Sequence, residues 1–593
     1  RYGFLVDGAS PHNPDGLPVG FAKHYDQQLN EELLDITCAA CHTGQINVTR
    51  SGRTTALRID GGSALHAFTN SQIGHFVPTL AATLMGTLAN PMKFNRFANA
   101  VLGPGHEGGR WALRRQMLSV AGQFGKMAWD EKWHGLVPTE EGYGRTDALA
   151  RIANTVFGDH IGAGNYAVGN APVNYPPVWN IWKFDWVQYN ASVSQPMARN
   201  IGESMGTGAK YALMDRYGNP LPPDQRFRSS AMLDNLHTIE RTLRTLQPPA
   251  WDEAVLGPID RAKAARGKDL FNTHCVGCHG PNIAPADIKA RNSPLKGPND
   301  PEWIVKTLCV DDIGTDPNTA LNFYDARVDI SKTGLSADDL RAVARKELTL
   351  WNQRDGAWLN AEIARVKATP GAEAQVAALQ AQLAKLDTDM AQTLSEIDPK
   401  SLRVGAGLSY LGILIREKAY ADLHLTPDQQ ADLDGFGILD LPQVVAAYKP
   451  RPLAGIWATA PFIHNGSVPT VYDLLSPVSE RPKTFRVGSR EYDTEKLGLK
   501  LPDSGYWVFD TSKDGNHNTG HELNTGYKPW KEGDPPAGGL IGPLLSREDR
   551  LAIIEHLKVR NDDLDGPREP HVPWSATCAP PPPRSDAGSR YVR

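Results

Sequence analysis

A chain of 593 residues that is 40% hydrophobic and 22% charged, with a net charge of −5, is ordinary for a globular protein and too long for one small domain. That charge leaves no basic surplus for binding nucleic acid, and no apolar run approaches the length that crosses a bilayer. The numbering starts at Arg1 without a methionine or a leader, which predicts a start inside a processed product.

The first motif in chain order is Cys38-Ala39-Ala40-Cys41-His42, and its spacing returns as Cys275-Val276-Gly277-Cys278-His279. Two thiols three residues apart can add to the two vinyl groups of one haem, and the adjacent histidine then reaches the iron from below. A zinc knuckle needs a second Cys or His pair at short range, and neither motif has one; a redox dithiol has no use for the histidine. The pentads therefore predict two covalently bound haem c groups, with His42 and His279 as iron ligands. Cys309 and Cys578 remain, as two separate buried thiols or, in an oxidising compartment, as one disulfide closing a very long loop.

Residues 1–245 read as a first haem domain, closed by the joint Gln247-Pro248-Pro249-Ala250. Inside it the segment from Tyr175 to Tyr189 gathers Trp179, Trp182, Phe184, Trp186 and Tyr189, a density that by itself means core or interface packing. Residues 250–593 read as a second, cytochrome c-like haem domain. A helical turn over 266–271 precedes its pentad, with Gly267 and Phe271 four apart on one face, so that the helix can lie close to the haem and to a partner helix. A helical hairpin is inserted at 336–397. Ser336 with Asp339 forms a capping box, Pro370-Gly371 breaks the pattern, and Val376, Leu379, Leu383, Leu386, Met390, Leu394 and Ile397 recur at three- and four-residue spacing. That stripe suits packing on its partner helix; a membrane-surface or substrate-delivery arm is the other reading, and the weakly basic polar face speaks against it. Thr426-Pro427 with Gln429, and Ser546 with Asp549, start two more helices. The tail from Cys578, with four consecutive prolines, reads as a surface strap. No strand-rich pattern of any length stands out. The fold class is mostly α: two cytochrome c-like haem domains with long ordered loops and an inserted helical hairpin.

Each pentad supplies one axial ligand, and the other axial position decides between electron transfer and catalysis. Two late loops, 460–470 and 514–522, are rich in Gly, Asn and His, so their backbones can approach a cofactor closely. They carry His464, His517 and His521. A lone histidine is by default a hydrogen-bonded core or surface residue; three in two such loops of one haem domain point to the cofactor.

Beyond the pentads, Arg451-Pro452-Leu453 through Asn465-Gly466-Ser467-Val468-Pro469-Thr470, then Arg481-Pro482-Lys483-Thr484-Phe485, resembles the bacterial di-haem cytochrome c oxygenases. That group holds the rubber oxygenases and the di-haem fatty-acid dioxygenases and is related distantly to di-haem cytochrome c peroxidases. The opening stretch from Pro14 to Phe21, Thr37 to Gln45, Asn170 to Val173, and Pro177-Val178-Trp179 are similar too, so the likeness spans nearly the whole chain except the hairpin. It implies a second haem held by two histidines, the distal one in a loop ending in a Gly-His pair. Gly520-His521 fits, making His279 and His521 the pair, with His464 near a haem edge on a propionate and His517 an added histidine in the same loop. It implies His42 below the first iron, an open or weakly held position above it for dioxygen, and Trp179 and Trp186 shaping the pocket of that first, oxygen-binding domain. Attachment outside the cytoplasm implies a bacterial exported protein, periplasmic or secreted.

The function this implies is insertion of dioxygen into an unsaturated fatty acid such as oleate, giving a hydroperoxide. Cleavage of polyisoprene double bonds, reduction of hydrogen peroxide, and electron transfer without catalysis are the alternatives. No Ser-His-Asp set, P-loop or paired carboxylates competes for the active site.

Overall fold

The computed structural model describes residues 2–26, 31–69, 76–103, 107–184, 186–193, 196–280, 303, 305, 307–434, 445–531, 534–559 and 578. Helices carry about half of the described residues, and the long loops between them contain eight two-stranded ladders. Strands β1 (Phe21–Asp26) and β2 (Glu31–Ile36) pair just before the first pentad, and β3 (Thr43–Arg50) and β4 (Arg53–Asp60) pair just after it. The second hairpin corrects the reading that no strand pattern exists. Ile46, Val48 and Ile59 point inward, while Ser51 and Gly52 both take positive φ, 50° and 76°, as a two-residue turn matched to strand twist requires. The alternation is short and mixed with charge, which hides it.

Helices α1 (Phe76–Ala89), α2 (Pro91–Leu102) and α3 (Arg110–Trp133) follow as an arm with its own small core of Leu88, Phe94, Ala98, Met117 and Ala121. Helix α4 (Pro196–Thr207) then buries Met197, Ile201 and Met205 in the largest core cluster. The second pentad follows α5 (Arg261–His274), whose N-cap Asp260 accepts from the Lys263 amide.

Helix α6 (Ala337–Lys367) starts at the Ser336–Asp339 capping box and α7 (Glu373–Ser395) returns from the turn at Pro370-Gly371. Their stripes meet: Val376, Leu379, Leu383 and Leu386 pack with Leu359, Ile363 and Val366. At the base of the hairpin Met390, Leu394 and Ile397 join the large core with α8 (Val404–Asp422). The hairpin thus consumes its own apolar face. The Thr426–Gln429 and Ser546–Asp549 caps are also formed.

Core packing crosses residue 245. Ile46, Val48, Ile59 and Trp179 share one cluster with Trp251, Phe271, Trp457, Phe462 and the last helix, α9 (Arg547–Val559). The Pro249 carbonyl in the joint accepts a hydrogen bond from Trp457 Nε1 at 3.2 Å. Gly267 lets α5 press on α9, because a Cβ there would run into the Ala552 carbonyl, and Phe271 one turn on is fully buried, 5.3 Å from the His556 ring. Gly267→Ala is therefore expected to destabilise the protein by about 1–3 kcal/mol through overpacking. Urea unfolding of the variant beside the parent measures this.

Candidate haem sites

The second pentad sits in a four-residue turn, Val276–His279, directly after α5. His279 Nδ1 donates to the Arg451 carbonyl at 2.8 Å, which fixes the tautomer and leaves Nε2 with its lone pair. The His521 ring stands opposite, 6.0 Å from that of His279 between centroids and inclined at 60°. Two left-handed residues aim it: Gly520 has φ 66° and His521 φ 43°. Only glycine fits at 520, since a Cβ would collide with the Ile313 and Gly314 backbone, and the His521 amide donates to the Ile313 carbonyl at 2.9 Å. The buried Arg481 guanidinium clamps the loop by donating to the carbonyls of Asn518 (2.6 Å), Gly520 (2.9 Å) and His521 (2.9 Å). Burial first, then the neighbouring His279 and Arg481, push the His521 imidazole down to about 3, and its Nδ1 is buried without a hydrogen-bond partner. Two neutral imidazoles around one metal need about 2 Å per metal–nitrogen bond and about 1 Å from nitrogen to ring centre, about 6 Å in all. The residues present fit a haem iron held from both sides. Cys275 and Cys278 of the same turn are outside any disulfide, as thioether formation needs.

The first pentad is built alike on one side only. His42 Nδ1 donates to the Pro176 carbonyl at 2.7 Å, and burial pushes the ring down to about 4. Cys38 and Cys41 are likewise outside any disulfide. His66 lies nearby, but both of its nitrogens are engaged: Nε2 donates to the Ala40 carbonyl at 2.8 Å and Nδ1 accepts from the Phe68 amide at 3.3 Å. Among the described residues no imidazole stands opposite His42 as His521 stands opposite His279. The proximal turns of the two sites are joined. Arg451, whose carbonyl holds His279, donates from its guanidinium to the carbonyls of Pro177 (2.7 Å) and Trp179 (3.3 Å), one and three residues beyond the carbonyl that holds His42.

The other histidines are placed elsewhere. His464 is buried, stacks on Tyr448 at 4.3 Å and meets Tyr189 edge-on at 6.2 Å; burial pushes it down to about 4. His517 donates from Nδ1 to Asp316 at 2.7 Å, and that bond raises its pKa. His464 and His517 thus gather about Asp316, while His521 faces His279. Trp179 and Trp186 are not brought together. Trp179 is fully buried and donates to the Ala454 carbonyl at 3.0 Å, whereas Trp186 packs with Phe184, Val187 and Trp303 and meets Trp351 of the hairpin edge-on at 6.4 Å.

The sequence reading missed a polar set beside the first pentad. Arg199 and Asn200 of α4 are buried and hydrogen-bond Glu240, and Gln188 donates to Glu203 at 3.1 Å. Burial, with Glu203 next, raises the Cys38 thiol, and Arg199 acts on His42 as well. On a helix such charges read as a solvated face; the signal for burial is their placement between Met197, Ile201 and Met205.

Residues 447–486 match the family model described as RoxA-like, cytochrome c-like, and residues 264–345 match that described as cytochrome c. An uncharacterized protein of Sinorhizobium fredii, y4iJ, is 33% identical over 94% of this chain and 83% of its own length. A second from the same strain, y4iM, is 41% identical over 90 residues, 14% of this chain and 21% of its own. The RoxA-like match starts in the strand that stacks on His464 and runs through the Arg451 that holds His279, so the likeness falls on the site itself. With a relative along almost its whole length, the chain belongs to the rubber oxygenase and di-haem cytochrome c group.

Proposed function

We propose that this protein is a di-haem c-type dioxygenase that inserts dioxygen into an unsaturated fatty acid. The observation that carries the reading is the asymmetry of the two pentads: among the described residues, His279 is faced by a second imidazole and His42 is not. When bound, haem supplies the redox chemistry that lets dioxygen react with an alkene chain. His42, fixed by the Pro176 carbonyl, would hold the first haem, and that site would take dioxygen and substrate. His279 and His521, facing each other at 6.0 Å, would hold a second haem, which would supply redox chemistry away from the substrate. Trp179, three residues beyond the Pro176 that fixes His42, would border the alkene, and positioning the chain there would supply much of the rate. Adding dioxygen across a C–H bond of the chain gives the hydroperoxide with atoms and electrons balanced, and no external reductant is needed. Polyisoprene cleavage is the second reading, favoured by the RoxA-like match. The disulfide Cys309–Cys578 supports export to an oxidising compartment, periplasmic or secreted. Among the described residues no helix is long and apolar enough to cross a membrane.

Two haems per chain are expected by pyridine haemochrome, and oleate under labelled dioxygen is expected to take up both atoms of one molecule. A single labelled atom would mean a monooxygenase or peroxygenase. Turnover of polyisoprene alone selects the second reading, and turnover of peroxide with a reduced donor, without oxygen uptake, makes the protein a peroxidase.

A further inference from the structure

We infer that the three-helix arm α1–α3 is a docking surface for an anionic phospholipid membrane. The inference rests on the outer face of α3 and does not depend on the proposed reaction. Its inner face, Leu113, Met117 and Ala121, packs on Leu84, Leu88, Phe94 and Ala98. On the outer side Trp111, Leu118, Trp129 and Trp133 are 71%, 53%, 64% and 70% exposed, and Trp129 stacks on Trp133 at 5.4 Å. At 100° per residue these four positions fall within about 60° of one another, so they form one stripe rather than a scatter. Single exposed apolar residues need no explanation; three tryptophans aligned on one helix do.

Charge selects the occupant. From 76 to 133 the chain has seven lysines and arginines against three carboxylates, a net of +4, while the whole chain carries −5, so the remainder carries −9. Arg115 and Lys126 border the tryptophan stripe on one side and Lys132 on the other, all exposed; Lys126 pairs with Asp130 in the absence of lipid, so Arg115 and Lys132 are the cations most open to it. A helix with tryptophan and leucine on one face and flanking cations lies in the plane of a bilayer interface: the indoles enter the headgroup region and the cations meet anionic lipid. A neutral hydrocarbon surface gives the cations nothing to pair with, and a second copy of this positive arm would repel it.

The test is co-sedimentation of the intact haem-loaded protein with vesicles of phosphatidylcholine alone or mixed with phosphatidylglycerol. Binding is expected at least tenfold stronger to the phosphatidylglycerol vesicles and to be lost in high salt, where charges at this range are screened. The variant Trp111→Ser, Trp129→Ser, Trp133→Ser and, separately, Arg115→Glu, Lys126→Glu, Lys132→Glu are each expected to weaken it at least tenfold. Their haem spectra and melting curves should match the parent, since none of the six side chains is buried. No binding to anionic vesicles, or binding that both variants retain, overturns the inference. So does binding to polyisoprene latex in place of vesicles, which makes the arm a hydrocarbon-binding face. A dimer that the tryptophan variant dissociates assigns the face to a second copy and overturns it equally.

Discussion

His521→Ala is expected to convert one low-spin haem to a high-spin one while leaving the other unchanged. The ring lies 6.0 Å from His279, and no other imidazole among the described residues is aimed there, because His464 and His517 are drawn toward Asp316. Alanine keeps the loop, since Arg481 holds backbone carbonyls and Gly520 sets the turn, so the change is confined to one ligand. Losing an axial imidazole should raise the midpoint potential of that haem on the order of 100 mV. Spectra in the visible region, with electron paramagnetic resonance of the oxidised protein, read the spin change, and a potentiometric titration reads the shift. If His464→Ala or His517→Ala produces this signature and His521→Ala does not, the ligand assignment is wrong.

Cys309→Ser should lower stability by about 5 kcal/mol in the chain-entropy account of disulfides. Cys309 and Cys578 are joined across a separation of 269 residues, and the cost of closing so long a loop is otherwise met by noncovalent contacts. The effect should also be local. Cys309 leads into the turn Val310–Ile313, whose carbonyls at Asp311, Asp312 and Ile313 accept from Gly538, Gly539 and His521. Loosening that turn loosens the seat of His521. Denaturant unfolding with and without reductant gives the first quantity; the low-spin signal of the second haem near the midpoint gives the second. A variant as stable as the parent would show that noncovalent contacts hold the tail unaided.

What could be read from the amino acids was whatever is set by neighbours in the chain. The pentads, the Ser336–Asp339 cap, the Pro370-Gly371 turn and the hairpin stripe are local patterns, and the Gly267–Phe271 pair needs only one helical face. The β3–β4 hairpin escaped because its alternation is short and polar on one side, although Ser51-Gly52 carries the turn signal. The arm escaped for a different reason: with Met, Trp and Leu on several sides of α3, no single apolar face marks what is buried. Arg199, Glu240 and the Arg451 bridge are tertiary facts, joining residues up to 274 positions apart, and no spacing rule anticipates them. Among the three late histidines the sequence offered equal chemistry. Asp316, some two hundred positions upstream of His517, separates them in space.

The disulfide also has a consequence for how the protein is made. A chain emerging from its N-terminus presents Cys38 and Cys41 first, then Cys275 and Cys278, then Cys309, and Cys578 long afterwards. In an oxidising compartment Cys309 therefore precedes its partner, while the four pentad thiols proposed to bind haem are already exposed to oxidation. Consuming those four first removes the competing pairings before Cys578 arrives. Haem supply then acts as a timer for oxidative folding: a cell short of haem should accumulate Cys309 mispaired with Cys275 or Cys278, and those species, rather than apoprotein with an intact tail, are what its proteases would meet.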